Sequence, residues 1–184
     1  MGEIRIIAGR WGRRRLKVPR ARSVRPTPGR AREAWLNVLA ADLEGARVLD
    51  LFAGSGALGL EALSRGAEHA TFVERDRRAL ECLRANIAAL AARDLCTVVG
   101  ADVFSYLTGV ERGGYDIAFA DPPYARGLAA RLVKRYVREP FSGLLSVEYE
   151  RGERIELPPS AEERRYGDTV IAFIAASDLE EEST

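Results

Sequence analysis

Histidine and cysteine are nearly missing from this chain: one His (His69) and two Cys (Cys82, Cys96) among 184 residues. Structural metal centres and disulfide frameworks draw on clusters of these residues, so neither is expected. The two thiols read as packing residues of a cytoplasmic protein, and His69, between Glu68 and Ala70, as a solvated turn residue. Long apolar runs are missing too. The longest candidates break at charges well short of the roughly 20 residues that span a bilayer. The N-terminal residues Met1, Gly2, Glu3, Ile4 and Arg5 lack the apolar stretch of a secretory signal. Internal repeats are absent, and an acidic tail at 177–184 is expected to fray. What remains, 47% hydrophobic and 30% charged, is the composition of one ordinary globular domain.

Arginine is what the chain has in excess: 26 of its 28 basic residues. Net charge is only +1, but it is unevenly spread. Residues 1–35 carry eleven basic side chains against Glu3 and Glu33, a charge of +9. The other 149 residues hold 17 basic and 25 acidic side chains, a charge of −8. Genome composition can favour Arg over Lys, yet it gives acids no reason to avoid the first 35 positions. The asymmetry points to a polyanion-binding extension on a mildly acidic body, with nucleic acid as partner.

Segments 4–8 and 15–18 read as the strands of a basic hairpin turning around Gly9 and Gly12. Thr27 and Pro28 make an N-cap and first turn for a helix carrying Ala31, Ala34, Trp35, Val38 and Leu39 at helical spacing, with Trp35 in the core. From Arg47 onward strands and helices alternate. Strands are expected at 48–51, 70–73, 97–99, 117–120, 144–149 and 169–175. Helices are expected at 57–64, 77–92, near 104–107 and at 128–137. Such alternation predicts a mostly parallel α/β sheet covered on both faces. The last two strands follow too closely for a crossover helix, so the sheet should end antiparallel.

The first loop of this α/β unit holds Gly54, Gly56 and Gly59 in a G-x-G-x-x-G array between strand and helix. Glycines permit a tight turn and close backbone approach, and the helix start offers free N–H groups to an anion. Glu74 closes the next strand, where a carboxylate can accept hydrogen bonds from ribose hydroxyls. By itself this fits a nicotinamide cofactor as well as S-adenosylmethionine. Asp50, in Asp-x-Phe-x-Gly-x-Gly, resembles the first motif of the Rossmann-like methyltransferases. Asp102, after the third strand, stands where that class accepts the adenine amino group, or it is a plain helix N-cap.

Asp121, Pro122, Pro123 and Tyr124 follow the fourth strand and form the most specific signal. An exocyclic amino group on a base is a poor nucleophile, because its lone pair is delocalised into the ring. Accepting hydrogen bonds from both of its N–H groups draws the nitrogen toward tetrahedral geometry. Asp121 supplies one acceptor and the Pro122 carbonyl another. The prolines fix that carbonyl's direction, since each locks its own φ and Pro123 holds Pro122 extended. Tyr124 offers a face for a flipped base, worth about 1–3 kcal/mol in stacking.

Asp-Pro-Pro-Tyr resembles the signature of amino-group methyltransferases acting on adenine N6, cytosine N4, guanine N2 or glutamine. The whole chain is similar to the RsmD family of guanine-N2 methyltransferases of small-subunit ribosomal RNA. The stretches that carry the likeness begin with Ile4, Arg5, Ile6, Ile7, Ala8 and Gly9, and continue with Arg25, Pro26 and Thr27. The Asp50 loop, Phe72–Val73–Glu74 and the Asp121 loop follow, and Arg165, Tyr166, Gly167, Asp168 and Thr169 close the set. The pattern departs after Thr27, at Pro28 and Gly29.

The resemblance implies a seven-stranded Rossmann-like sheet with an antiparallel end and an N-terminal hairpin. It divides the chain into a basic hairpin (1–26), a methyltransferase domain (27–176) and the tail. Implied cofactor contacts to S-adenosylmethionine are Asp50, Phe52, Ala53, Gly54, Ser55, Gly56, Glu74, Arg75, Asp102, Val103 and Asp121. Asp121, Pro122, Pro123 and Tyr124 would be catalytic, without a metal. Arg10, Arg13, Arg14, Arg15, Lys17, Arg25, Thr27 and Arg30 would meet RNA, either free or on an assembled particle, as a monomer. Rival readings are adenine N6 or glutamine methylation, a non-catalytic assembly factor, and a nicotinamide oxidoreductase. Trp11 could stack on RNA or anchor the hairpin, and Tyr166, Gly167 and Asp168 could line the site or make a turn.

Overall fold

A computed structural model describes residues 3–19, 29–124 and 126–181. Strands β1 (Glu3–Arg5) and β2 (Arg15–Lys17) form the antiparallel hairpin, and α1 (Gly29–Val38) follows. Then come β3 (Arg47–Leu51), α2 (Ala57–Ser64), β4 (His69–Glu74), α3 (Arg77–Ala89), β5 (Cys96–Gly100), α4 (Val103–Leu107) and β6 (Tyr115–Ala120). The chain ends with α5 (Leu128–Arg138), β7 (Ser142–Glu150), β8 (Glu162–Tyr166), β9 (Thr169–Ala175) and α6 (Ala176–Glu181).

The main sheet runs β5-β4-β3-β6-β7-β9-β8. Its first five strands are parallel, while β9 is antiparallel to both β7 and β8. Period-2 alternation explains why both faces are covered. Val48, Phe72, Ile117, Phe119, Ile171 and Phe173 face one core, with Trp35 of α1 and the apolar sides of α2 and α3. Leu49, Leu51, Val73, Ala118, Ala120, Leu145, Val147 and Ile174 face the other, beneath α4, α5 and α6. Trp35 is fully buried, with its ring edge-on to Phe119 at 6.1 Å.

Two features differ from the sequence reading. Strand β8, Glu-Glu-Arg-Arg-Tyr, was not anticipated because it has no apolar alternation. It is an exposed edge strand held by its ladder to β9. The acidic tail does not fray at 177: Ser177 to Glu181 are helical in α6, and Leu179 is 8% exposed in the core under α5.

The hairpin is packed onto the body of the domain. Ile6 and Leu16 are 1% and 2% exposed and join the α1–α3 core, with Trp11 packed against it as an anchor. Glu61 of α2 is fully buried and accepts hydrogen bonds from the Ile7 amide (2.7 Å), the Ala8 amide (2.9 Å) and Arg65 Nε (3.1 Å). Burying carboxylate oxygens is costly unless hydrogen bonds of this kind replace water. The hairpin thus supplies part of what makes Glu61 tolerable.

The sheet order reverses between β3 and β6, whose outgoing helices cover opposite faces. Open α/β sheets bind ligands at the carboxyl ends of strands beside such a switch point.

Candidate active site

Register sets the rim of this crevice. Leu51 of β3 pairs with Val73 of β4 and with Ala120 of β6, and Ala120 pairs with Val147 of β7. The next residues along these four strands, Phe52, Glu74, Asp121 and Glu148, therefore stand at one level across the sheet. Three of the four are acids. Asp102 follows β5, whose Gly100 pairs with Glu74.

The loop after β3 turns sharply. Phe52, Gly54 and Gly56 have φ of 59°, 55° and 80°, and a left-handed conformation at a phenylalanine stores roughly 1–2 kcal/mol of strain. The Phe52 ring is held edge-on to Phe104 of α4, centroids 6.4 Å apart. At Gly56 a Cβ would meet Leu83 Cδ1 at 2.4 Å, and at Gly59 it would meet Phe72 Cε1 at 2.5 Å. Both positions admit only glycine without a shift of the core, which lets α2 start directly against the sheet.

Three side chains brace the loop. Asp50, 2% exposed, accepts a hydrogen bond from the Gly59 amide at 2.9 Å. Burial raises its carboxyl well above the usual carboxylate range, and nearby Asp121 and Glu74 push the same way, against the Gly59 bond. Glu74 accepts from the Gly54 amide (2.9 Å) and from the Arg75 and Asp76 amides (2.8 Å each). Asn86 of α3 donates 2.9 Å hydrogen bonds to the carbonyls of Ser55 and Lys17, tying the loop to the hairpin. Asp50 thus braces the loop through the Gly59 amide.

Arg75 and Asp102 form an exposed 3.4 Å ion pair. Asp102 also caps α4, accepting from the Phe104 and Ser105 amides at 3.0 and 3.2 Å. The cap occupies Oδ1, so capping and ligand contact are compatible. Val103 is 4% exposed and faces the core.

After β6, Pro122 is buried, Pro123 exposed, and Asp121 and Tyr124 half-buried. The Tyr124 hydroxyl donates to a carboxylate oxygen of Glu148, which is 1% exposed on β7, and it also bonds Thr169. Burial first, then the Glu148 carboxylate, raises the Tyr124 phenol far above its ordinary value, so the ring stays neutral. Sequence reasoning missed Glu148. Its available signal was a lone acid near the carboxyl end of an apolar strand. Gly167, with φ of 66°, makes the β8–β9 turn that Tyr166, Gly167 and Asp168 close, and this turn delivers Thr169 to Tyr124.

The candidate RNA residues split. Arg13, Arg15, Lys17 and Arg30 are exposed. Arg10 is clamped instead, donating to the Leu63 carbonyl from Nε (3.1 Å) and Nη2 (2.7 Å) over the Trp11 ring. Arg14 Nη2 donates to the Ala89 carbonyl at 2.6 Å. Arg25 and Thr27 lie outside the described residues. His69, expected to be a solvated turn residue, begins β4, with Nε2 2.9 Å from Thr97 Oγ1.

A glycine turn after β3, carboxylates closing β4 and β5, and an antiparallel final pair make this the Rossmann-like class I methyltransferase fold. The solved yhhF protein of Escherichia coli matches with a TM-score of 0.80 and 38% identity, over 94% of this chain and 97% of that one. A hypothetical protein of Thermus thermophilus gives 0.79 and 32%, over 94% and 99%. The family described as Conserved hypothetical protein 95 matches residues 4–175. Ribosomal RNA small subunit methyltransferase D of Escherichia coli (strain K12) is 48% identical over 128 residues, 69% of this chain and 63% of that protein. The match thus spans just under two thirds of that relative's length. The Haemophilus influenzae protein of the same name is 37% identical over 134 residues, 72% and 69% of the two chains. The chain belongs to this family, the RsmD family.

Proposed function

We propose that the chain transfers a methyl group from S-adenosylmethionine to the exocyclic N2 of a guanine in small-subunit ribosomal RNA. One observation carries this reading: the Asp121–Pro122–Pro123–Tyr124 loop leaves β6 level with, and beside, the glycine turn leaving β3. Relatives at 48% and 37% identity are named for methylation of small-subunit ribosomal RNA.

The residues present fit the cofactor. Glu74 and Asp102 are partly exposed at the ends of adjacent strands, where they would accept from ribose hydroxyls and the adenine amine. The rim gathers Glu74, Asp102, Asp121 and Glu148, an acidic set that favours a ligand bearing a sulfonium and an ammonium. The same set disfavours the pyrophosphate of a nicotinamide cofactor. When bound, S-adenosylmethionine supplies an electrophilic methyl.

Asp121 and the Pro122 carbonyl accept the two N–H groups of the target amine, so its lone pair turns toward that methyl. Tyr124 stacks on the base, its ring aimed by the bond to Glu148. Holding both reactants in near-attack geometry supplies the largest effect. Exposed Arg13, Arg15, Lys17 and Arg30 neutralise RNA phosphates.

The test is nucleoside mass spectrometry of small-subunit ribosomal RNA from cells lacking the gene, after treatment with the protein and methyl-labelled cofactor. Labelled N2-methylguanosine is expected. Labelled N6-methyladenosine would move the target to adenine, and RNA left unlabelled would remove the assignment to RNA.

A further inference from the structure

Helix α5 exposes a basic face that neither the chemistry above nor the hairpin uses. Its four cations, Arg131, Lys134, Arg135 and Arg138, stand at i, i+3, i+4 and i+7, which places them along one side of the helix. The opposite side buries Ala129, Leu132, Val133 and Tyr136. No acid occurs anywhere in the helix. That is unusual in a region, residues 36–184, where 25 acids outnumber 17 bases. A merely solvated face on such a body would be mixed in sign.

Two of the four cations have local duties. The Arg131 guanidinium lies 3.7 Å from the Phe104 ring centroid. Arg135 donates to the Leu107 carbonyl at 3.2 Å and pairs with Glu139 at 3.0 Å. Lys134 and Arg138 are exposed and have no acid partner among the described residues.

Position gives the face its meaning. α5 begins four residues after Tyr124, so the stripe starts at the rim and runs from it, covering about 10 Å from Arg131 to Arg138 at 1.5 Å per residue. α5 packs on the Leu49 and Leu51 side of the sheet, whereas the hairpin packs on the Val48 and Phe72 side. The two basic surfaces therefore lie on opposite faces of the sheet that carries the Asp121 loop.

We propose that the α5 face is a second phosphate-contacting surface, holding the RNA strand on the side of the target base away from the hairpin. This rests on the RNA methyltransferase reading. The hairpin grips one flank and α5 the other, with the target base presented between them.

The test uses the full chain carrying Lys134→Glu and Arg138→Glu, and measures its binding to unmethylated small-subunit ribosomal RNA across a salt series. Two lost phosphate contacts should lower affinity about tenfold or more near 50 mM salt and flatten the log–log salt slope by about 1.4–1.8. Lys134→Gln with Arg138→Gln should give a smaller change of the same sign, and it carries the same reading should the reversed pair fail to fold. Binding of S-adenosylhomocysteine should match the parent in both variants. A parental affinity and slope would overturn the proposal, as would a weaker affinity with an unchanged slope. Nucleoside analysis of the same samples reports the reaction separately. An active enzyme with an inert α5 face and an inactive chain with a working one therefore give different results.

Discussion

The loops after β3 and β6 leave neighbouring strands at the same level, yet they are built from opposite backbone chemistry. The first turns through left-handed positions at Phe52, Gly54 and Gly56. The second is fixed by two prolines whose φ cannot leave the neighbourhood of −65°. A cradle for a ligand needs a backbone that can curl away and leave room. An acceptor aimed at one nitrogen needs a backbone that cannot turn. Their braces differ in kind as well: Asp50, Glu74 and Asn86 hold backbone amides and carbonyls of the first loop, while Glu148 holds the Tyr124 hydroxyl in the second.

The comparison breaks most visibly at Asp121. If Asp121 accepts from the target amine as proposed, replacing it with alanine removes that acceptor, and single-turnover methyl transfer should slow by about 10³-fold, the scale of losing one preorganised polar contact. Turnover near the parental rate would end the assigned role.

Gly56→Ala attacks the other loop. A φ of 80° and a Cβ 2.4 Å from Leu83 Cδ1 combine backbone strain with overpacking, for a loss of about 2–4 kcal/mol in urea unfolding. A variant as stable as the parent would mean that the turn relaxes freely.

Glu148 sharpens the comparison, because its expected effect falls on substrate rather than on cofactor. Glu148→Ala frees the Tyr124 ring and should raise KM for RNA about tenfold, with kcat less affected, which is roughly the stacking energy at stake. Glu148→Gln keeps an acceptor and should recover most of the loss. Equal behaviour of the two variants would contradict the positioning role.

The smallest effect concerns Asp50. Burial raises its carboxyl, so the folded protein keeps this proton to higher pH than the unfolded chain, whose aspartates titrate near ~3.9. Above that value folding takes up a proton, and stability falls as pH rises toward the folded-state value. Asp50→Asn removes the ionisation and keeps an oxygen for the Gly59 amide. Its urea midpoint should gain on the parent's as pH rises from about 4 to 7. Parallel curves would refute the assignment.

Much of this was legible in the sequence, because strand–helix alternation and the two loops are local patterns. The helix at Ala57–Ser64 and the strand at Thr169–Ala175 fall where periodicity placed them. What escaped depends on long-range contact. β8 has an exposed, charged sequence and exists through its ladder to β9. The hairpin's cations outweighed Ile6 and Leu16 in the reading, and nothing local says that Glu61, some fifty residues on, receives its amides. Glu148 is a lone acid in an otherwise apolar strand, and only register sets it beside Asp121.

Calorimetry of S-adenosylhomocysteine against Asp121→Ala and Gly56→Ala, side by side, tests most directly whether the two loops divide the work. The Asp121 variant should bind within about threefold of the parent, while the Gly56 variant should bind at least about tenfold more weakly, a gap of ~1.4 kcal/mol or more over the parent. Equal loss of binding in both variants, or a parent chain that prefers NAD, would contradict it.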